Sequence, residues 1–468
     1  MSELWKHQKT AIDKAELIDN LALLFDTGTG KTRTSIEIIR NKFNKKRAIV
    51  NTVIICPIIV LENWKKEILK FSKIPQDKIY IVYGSKKLTI LKNAIEKGGI
   101  VITNYESLLQ APILQGLKKF YPDILILDES QRCKNHQSKR TKAVTEISDL
   151  CVNRYILSGT PILNSPMDIF AQYRILDGGE TFGKNFFGFR AKFFYDKNSG
   201  MPKDRHFPDW RILPGAEKTI NDLIYSKAVR AVKEECIDLP DYLKQTVYIE
   251  LSSEQRKLYN SVKKDFVAYI DDAKDRAVVA DLAITKALRL QQIASGYAVD
   301  DSGSIYQFKE DPRSQALEEL LEDITPHSKV IVWACFINNY EQIRRVCEKL
   351  KIRYVEAHGG ISSKSKFEAV EAFDKDESVR VFIGHPGSLG VGINLISASY
   401  SIYFSRNFSL ENDLQSEARN YRAGAIKLHS KITRIDIVAK ETIDESVSEA
   451  LSKKMNISEQ LLTWSDKV

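Results

Sequence analysis

Asp26-Thr27-Gly28-Thr29-Gly30-Lys31-Thr32 follows the apolar run Leu21–Phe25 and opens the helically spaced stretch Thr34–Arg40. Strand, glycine-rich turn and helix in that order are what a phosphate-binding loop needs. Small residues let backbone N–H groups close on phosphates at the positive end of a helix. In such a loop Lys31 reaches the outer phosphates and the Thr32 hydroxyl ligates Mg²⁺, so Thr27, Gly28, Thr29, Gly30, Lys31 and Thr32 form the expected ATP-binding set. The full phosphate-loop pattern asks for glycine at position 25, where this chain has Phe25. That departure speaks against kinase-like and transporter-type loops.

A nucleotide loop needs an acidic partner, and Ile124-Leu125-Ile126-Leu127 ends in Asp128-Glu129 about a hundred residues downstream. Asp128 is expected to hold Mg²⁺ through water. Glu129 is expected to orient or deprotonate the water that attacks the terminal phosphate. Acidic pairs at strand ends are ordinarily solvated and inert; the phosphate loop upstream is what gives this one a hydrolytic reading.

Outward from these two motifs the chain alternates. Val53–Cys56, Ile79–Val82, Ile100–Thr103, Ile124–Leu127 and Tyr155–Leu157 are short, apolar and rich in β-branched residues, and helical segments such as Leu61–Phe71 separate them. Runs that are apolar throughout point to parallel strands covered on both faces. A second series comprises Val330–Trp333, Arg353–Val355, Val379–Ile383, Ile402–Phe404 and Ile435–Val438, with helical segments such as Lys364–Asp374 and Glu411–Arg422 between them. The expected class is α/β in two lobes: residues 1–238 with a helical insertion over about 164–232, and residues 239–468 with one over about 252–310. Within the first insertion, Phe186, Phe187, Phe189, Phe193, Phe194, Phe207 and Trp210 interleave with Arg190, Lys192, Lys197, Lys203 and Arg205. Aromatics packing a small core, with the cations outside, is favoured there over a surface that tracks DNA.

Composition narrows the classes further. With 468 residues and 43% hydrophobic content, the chain is long enough for two or three cored domains, which excludes disorder and a disulfide-built miniprotein. Six cysteines without a Cys-x-x-Cys pair indicate neither a zinc knuckle nor a disulfide framework. The longest apolar run, Val53–Leu61, is broken by Pro57 and falls far short of the ~20 residues of a membrane span, so no membrane partner and a cytoplasmic location are expected. A net charge of +9 suits a polyanionic partner without identifying one.

Taken in order, the motifs are similar to a known set. His7-Gln8, Asp26–Thr32, Ile55-Cys56-Pro57 with Asn63-Trp64, Thr103-Asn104-Tyr105-Glu106, Asp128-Glu129-Ser130-Gln131 and Leu157-Ser158-Gly159-Thr160-Pro161 with Asn164 resemble the first motor lobe of superfamily-two helicases, specifically the Swi/Snf-type ATPases. His358-Gly359, Gly390-Val391-Gly392-Ile393-Asn394-Leu395 and Gln415-Ser416-Glu417-Ala418-Arg419-Asn420-Tyr421-Arg422 continue the series into the second. The resemblance implies two RecA-like lobes, Mg·ATP hydrolysis and double-stranded DNA gripped by its backbone, and it leaves room for a protein partner. It implies roles residue by residue: Gln8 reads the adenine ring, Gln415 contacts the nucleotide or the attacking water's network, and Arg419 and Arg422, three apart on one helical face, act as arginine fingers across an interlobe cleft. Pro57, Thr103, Tyr105, Gly359, Ser388 and Asn394 are the implied DNA contacts, and Gly392 with Gly390 permits a tight backbone approach.

The departures matter too. The family's Asp-Glu-Ala-His is here Asp128-Glu129-Ser130-Gln131, which removes the histidine that couples the ATP state to the nucleic-acid side, and Pro386-Gly387 replace a Thr-Arg pair. With about 45 residues beyond the last motif, a minimal bacterial or phage-type motor is expected. The leading functional reading is a duplex-DNA translocase that remodels protein–DNA complexes, forks or recombination intermediates. A strand-separating DNA/RNA helicase, a nucleotide-gated clamp and a motor subunit of a restriction or defence complex are the alternatives.

Overall fold

The computed structural model describes residues 3–47, 50–163, 165–201, 206, 208–236, 238–272, 276–300, 302–388 and 393–462. Asn164, Lys203, Arg205, Phe207, Gly390 and Gly392 lie outside the described residues. The chain divides into two compact units, one built mainly from Met1–Ile237 and the other from Asp238–Leu389 and Ile393–Lys453.

The first unit is built on β1 (Asn20–Phe25), β2 (Thr52–Cys56), β3 (Ile79–Ile81), β4 (Ile100–Asn104), β5 (Ile124–Asp128) and β6 (Asn153–Leu157). A short antiparallel hairpin, β7 (Phe194–Asp196) with β8 (Trp210–Ile212), precedes β9 (Ala228–Ala231). Its main sheet runs β3-β4-β2-β5-β6-β1-β9 with every neighbouring pair parallel. Alternation along each strand sends residues to two cores. Ala22, Leu24, Val53, Ile55, Leu125, Leu127 and Ile156 pack on one face; Leu21, Leu23, Phe25, Ile54, Ile124, Ile126, Tyr155 and Leu157 pack on the other. Both faces are apolar because helices cover both, as the unbroken apolar runs require.

Two boundaries differ from expectation. The helix Ile169–Asp177, placed by sequence inside an insertion, buries Ile169, Phe170, Tyr173, Ile175 and Leu176 in the sheet's own core. Ala228–Ala231, also placed in the insertion, is the edge strand beside β1; only four residues long and carrying Arg230, it has no strand signature of its own. What remains of the insertion is the helix Phe186–Phe193, the β7–β8 hairpin and the helix Ala216–Ser226. Its aromatics do pack: Phe189, Phe193 and Phe194 are buried, and the Arg190 guanidinium lies 4.0 Å from the Trp210 ring centre.

The second unit comprises β10 (Asp241–Ile249), the hairpin β11 (Tyr297–Val299) and β12 (Ile305–Gln307), then β13 (Lys329–Trp333), β14 (Arg353–Ala357), β15 (Val379–Gly384), β16 (Ala398–Tyr403) and β17 (Lys431–Ala439). Its parallel sheet runs β10-β17-β16-β13-β15-β14. The five expected strands are present; β10 is additional, a half-exposed edge strand whose Lys244 and Gln245 hide it from a hydrophobic reading. The charged helical region becomes the helices Ser253–Asp272 and Arg276–Ala294.

Arg313 ties this unit together from inside. Only 1% exposed, it donates to the carbonyl oxygens of Ala294, Phe404 and Ile437 and pairs with Asp444. Arg313→Leu therefore strips Asp444 of its cation and orphans buried acceptors, and is expected to destabilise the second unit by about 3–5 kcal/mol, with Arg313→Lys recovering part of the loss. A urea midpoint for Arg313→Leu equal to the wild-type value refutes this.

Candidate active site

Parallel strands deliver their C-terminal ends to one edge, and register decides which ends meet. Leu157 of β6 lies opposite Leu23 of β1 and Asp128 of β5, so β6 separates the glycine-rich loop after β1 from the acidic pair after β5. The separation is narrow. A Cβ on Gly159, just beyond β6, would lie 3.3 Å from the Phe25 carbonyl oxygen and 3.5 Å from Thr27 N, so only glycine lets the two loops lie against each other with room to spare.

The loop itself turns through Gly28 at φ +91° and Gly30 at φ +86°, a left-handed conformation that glycine adopts without strain, and then enters the helix Lys31–Lys46. Thr29 is fully buried and its hydroxyl donates to the Asp26 carbonyl at 2.8 Å. Lys31 Nζ folds over the loop, donating to the carbonyls of Phe25 at 2.7 Å and Asp26 at 3.3 Å. Those are weak partners for an ammonium, and a phosphate oxygen is a stronger one. Thr32 follows, half-buried in the first helical turn.

Beneath the loop lies the helix Lys6–Leu17. Gln8, 4% exposed, accepts from Trp5 N–H at 2.9 Å and donates to the Gly30 carbonyl at 3.4 Å, while His7 Nε2 lies 2.8 Å from the Thr29 carbonyl. A Cβ on Gly30 would fall 2.2 Å from Gln8 Nε2. Gln8 is thus brought to the phosphate loop and supports it. Beside it a recess of about 400 Å³ is lined by Trp5, His7, Val229, Arg230, Ala231 and Cys236, among others. Trp5 and Arg230 carry no motif that would have nominated them; His7 was visible only as the neighbour of Gln8.

The acidic pair is held more tightly than its sequence suggests. Asp128 accepts the Trp64 indole N–H at 2.9 Å and the Glu129 backbone N–H at 3.1 Å. Burial and the adjacent Glu129 charge push its carboxyl above the ordinary range, against the pull of the Trp64 hydrogen bond and the Lys31 ammonium. A carboxylate under that pressure gains from a nearby divalent cation. Among the described residues no cluster of three or more His, Cys, Asp or Glu could hold a metal alone. Thr32 and Asp128 therefore fit Mg²⁺ held largely by phosphates and water, its usual arrangement beside a nucleotide. Glu129, 6% exposed, accepts Gln131 Nε2 at 2.5 Å; Gln131 Oε1 accepts the Ser158 hydroxyl at 2.7 Å, and Ser158 Oγ accepts the Thr160 N–H at 3.0 Å. The amide in the family's histidine position thus bridges the acidic pair to the loop after β6.

In the second unit the expected pair Arg419 and Arg422 is brought together, but not on a helix. The helix Leu410–Glu417 ends before them; both arginines sit on the turn beyond, and their Nη1 atoms donate to one carbonyl, that of Ile393, at 3.4 and 3.3 Å. Burial pushes the Arg422 guanidinium below its usual value, the signature of a cation placed where an anion would be welcome. Gln415, half-buried on the helix, donates to Glu411 at 3.1 Å. That helix is anchored by Arg434, 1% exposed, which pairs with Asp413 at 2.7 Å, Asp436 at 2.8 Å and Glu417 at 3.2 Å and lies 3.9 Å from the Tyr403 ring centre. Burial alone would raise the Asp413 carboxyl; the Arg434 charge and hydrogen bonds hold it below its ordinary range.

A family model described as the SNF2-related domain matches residues 14–296. The chain belongs to the SNF2-related family. A second model, the helicase conserved C-terminal domain, matches residues 312–424. The chain is 25% identical to an uncharacterized ATP-dependent helicase of Mycoplasma genitalium over 99% of its own length and 42% of the relative's. It is 24% identical to putative protein p41 of Acyrthosiphon pisum secondary endosymbiont phage 1, over 93% of this chain and 92% of that one. A putative ATP-dependent helicase/translocase of Bacillus subtilis, YwqA, is 25% identical over 93% of this chain and 46% of its own. The chain therefore spans less than half the length of these two bacterial relatives. The SWI2/SNF2 ATPase core of Sulfolobus solfataricus, solved in complex with dsDNA, is 24% identical with a TM-score of 0.45, covering 99% of this chain and 94% of that one.

The DNA contacts that the SNF2-related resemblance implied divide in two. In the first unit Pro57, Thr103 and Tyr105 are buried. The Thr103 hydroxyl donates to the Val82 carbonyl at 2.9 Å, and Tyr105 Oη donates to the Asp128 carbonyl at 2.5 Å. These side chains are spent inside the lobe and are not phosphate ligands in this conformation; their loops sit at the strand ends, which is why spacing alone suggested contact. In the second unit Gly359 and Ser388 do meet, a Cβ on Gly359 lying 3.8 Å from Ser388 Oγ, and Lys366 Nζ reaches the Ser388 carbonyl at 3.3 Å. Asn394 is exposed.

Lys31→Ala is expected to weaken nucleotide binding or turnover, and Glu129→Gln to leave binding while lowering ATPase activity by at least about a hundredfold, the scale of a lost general base. Phosphate release beside a nucleotide-binding titration separates the two; wild-type turnover in Glu129→Gln removes that residue from the chemistry. Gln131→Leu keeps the volume but cuts both bridge hydrogen bonds, and is expected to lower kcat by roughly tenfold, the worth of one buried hydrogen bond. An unchanged kcat shows the bridge idle.

Proposed function

We propose that the chain is an ATP-hydrolysing motor that moves along double-stranded DNA and so remodels protein–DNA complexes, forks or recombination intermediates. What carries the reading is the placement of Glu129: a buried carboxylate one strand away from the phosphate loop, held through Gln131 and Ser158 to the loop that lies against Phe25–Thr27. A passive nucleotide-gated clamp has no use for such a residue. Lys31 and the loop amides hold the phosphates, Glu129 takes the proton of the attacking water, and Arg419 and Arg422 supply positive charge for the transition state. Mg²⁺, when bound, neutralises phosphate charge; Thr32 and Asp128 would hold it.

SNF2-related membership and the name of the Bacillus relative, helicase/translocase, support motion on nucleic acid. The second unit supports a backbone grip: Ser362 caps the helix Ser363–Lys375, whose first turn carries Lys364 and Lys366, and Lys366 reaches the Ser388 carbonyl next to Gly359. Helix N-terminus, hydroxyl and lysines together read phosphate, not base edges. Among the described residues no helix is long and apolar enough to cross a membrane.

Duplex DNA is expected to stimulate hydrolysis with little sequence dependence, and affinity should fall as salt rises. Assaying duplex, single-stranded DNA and RNA side by side tests the class. Triplex-strand displacement without unwinding of a plain fork supports translocation, whereas stimulation by single strands alone replaces it with a strand-separating helicase. Activity that appears only with a co-purifying protein assigns the chain to a multi-subunit motor. Arg422→Ala is expected to lower kcat more than it raises KM and to leave nucleotide-free DNA binding intact; equal losses of DNA affinity and rate would mark Arg422 as a DNA ligand.

A further inference from the structure

Glu129 is one of few residues outside glycine with a left-handed backbone, at φ +55° and ψ +55°. A side-chain-bearing residue holds that conformation only where its surroundings impose it. Its side chain is fixed by Gln131. Its backbone is fixed from elsewhere: Tyr105 Oη donates to the Asp128 carbonyl at 2.5 Å and lies 3.2 Å from the Glu129 carbonyl, so one hydroxyl spans the two oxygens that flank the left-handed turn. Tyr105 is fully buried, and burial keeps its phenol protonated and therefore a donor.

Tyr105 has a second attachment. It begins the 3-10 turn Tyr105–Leu109 at the end of β4, where Asn104 donates to Glu106 at 2.9 Å and Glu106 pairs with Arg140 at 3.0 Å. Arg140 in turn donates to the Arg132 carbonyl at 3.4 Å, in the turn that follows Glu129. The Glu106–Arg140 pair is partly exposed, so a chain of contacts runs from the surface at β4 to the peptide that aims Glu129.

We infer that Tyr105 is a positioning residue for hydrolysis: its hydroxyl holds the Asp128–Glu129 carbonyls so that Glu129 keeps its left-handed backbone and presents its carboxylate toward the phosphate loop. Its motif position had made it a DNA contact; the geometry makes it a tie between the β4 end and the hydrolytic turn. The inference rests on the reading of Glu129 as the water-activating residue.

Tyr105→Phe removes one oxygen and leaves the packed ring. The expected result is a fall in kcat of at least about tenfold, read both without DNA and with saturating duplex, while KM for ATP and nucleotide affinity stay within about twofold of wild type. Wild-type kcat overturns the inference, and so does loss of nucleotide binding or a KM rise with kcat kept, since either marks a merely structural tyrosine. Glu129→Gln run alongside separates the failures. If it retains turnover, the reading of Glu129 has failed; if it is inactive while Tyr105→Phe turns over normally, only the tie has failed. Because the test is read on the basal rate, a protein indifferent to DNA still answers it.

Discussion

A parallel sheet covered on both faces leaves its strand ends as the only place for polar chemistry. In the first unit every strand of the main sheet points the same way, so Phe25, Asp128 and Leu157 finish along one edge and the loops that follow them must share it. The site is a consequence of that crowding. Gly159 is small because Phe25 is close, Trp64 turns its N–H to the buried Asp128, and Gln131 can reach both Glu129 and Ser158 because their loops follow adjacent strands, β5 and β6. A change in register by a single residue would separate the groups that must touch.

The sequence was most legible where chemistry demands a local pattern. Glycines at positions 28 and 30, a lysine after them and an acidic pair closing an apolar run are all readable because each is fixed by its immediate neighbours. Contacts made across the fold were not. Tyr105 and Thr103 lie in a motif associated with DNA, yet their hydroxyls are spent on Asp128 and Val82, a fact that depends on how β4 lies relative to its neighbours. Arg419 and Arg422 have helical spacing but sit past the end of their helix, because the chain turns at Ala418 and brings both to Ile393. Edge strands β9 and β10 were invisible for a different reason: half-exposed, they carry Arg230 and Lys244 where a central strand would carry valine.

In the second unit a buried charge network is added to the apolar packing on both faces of the sheet. Arg434 lies among three carboxylates and over an aromatic ring, and Arg406 meets Asp436 at 3.1 Å in the same cluster. Such a network is a poor source of net stability, since each ion loses its water, but it tolerates few alternative arrangements. A helix held in this way, with its last residue Glu417 inside the network, delivers Ala418 to Arg422 at a fixed place. Arg422 is left with backbone carbonyl for company and a suppressed affinity for its proton, the opposite condition to Arg434 a short distance along the chain.

The bridge through Gln131 has a direction. Thr160 N–H donates to Ser158, Ser158 to Gln131 and Gln131 to Glu129, so every donor points toward the carboxylate. Each bond in such a series polarises the next, and the last one ends on the Glu129 carboxylate. An imidazole in the same place could reverse that polarity by changing tautomer or charge; a carboxamide has no proton to trade. The link from Thr160 to Glu129 thus runs one way only, and its sense is lost when any one of its three bonds is broken.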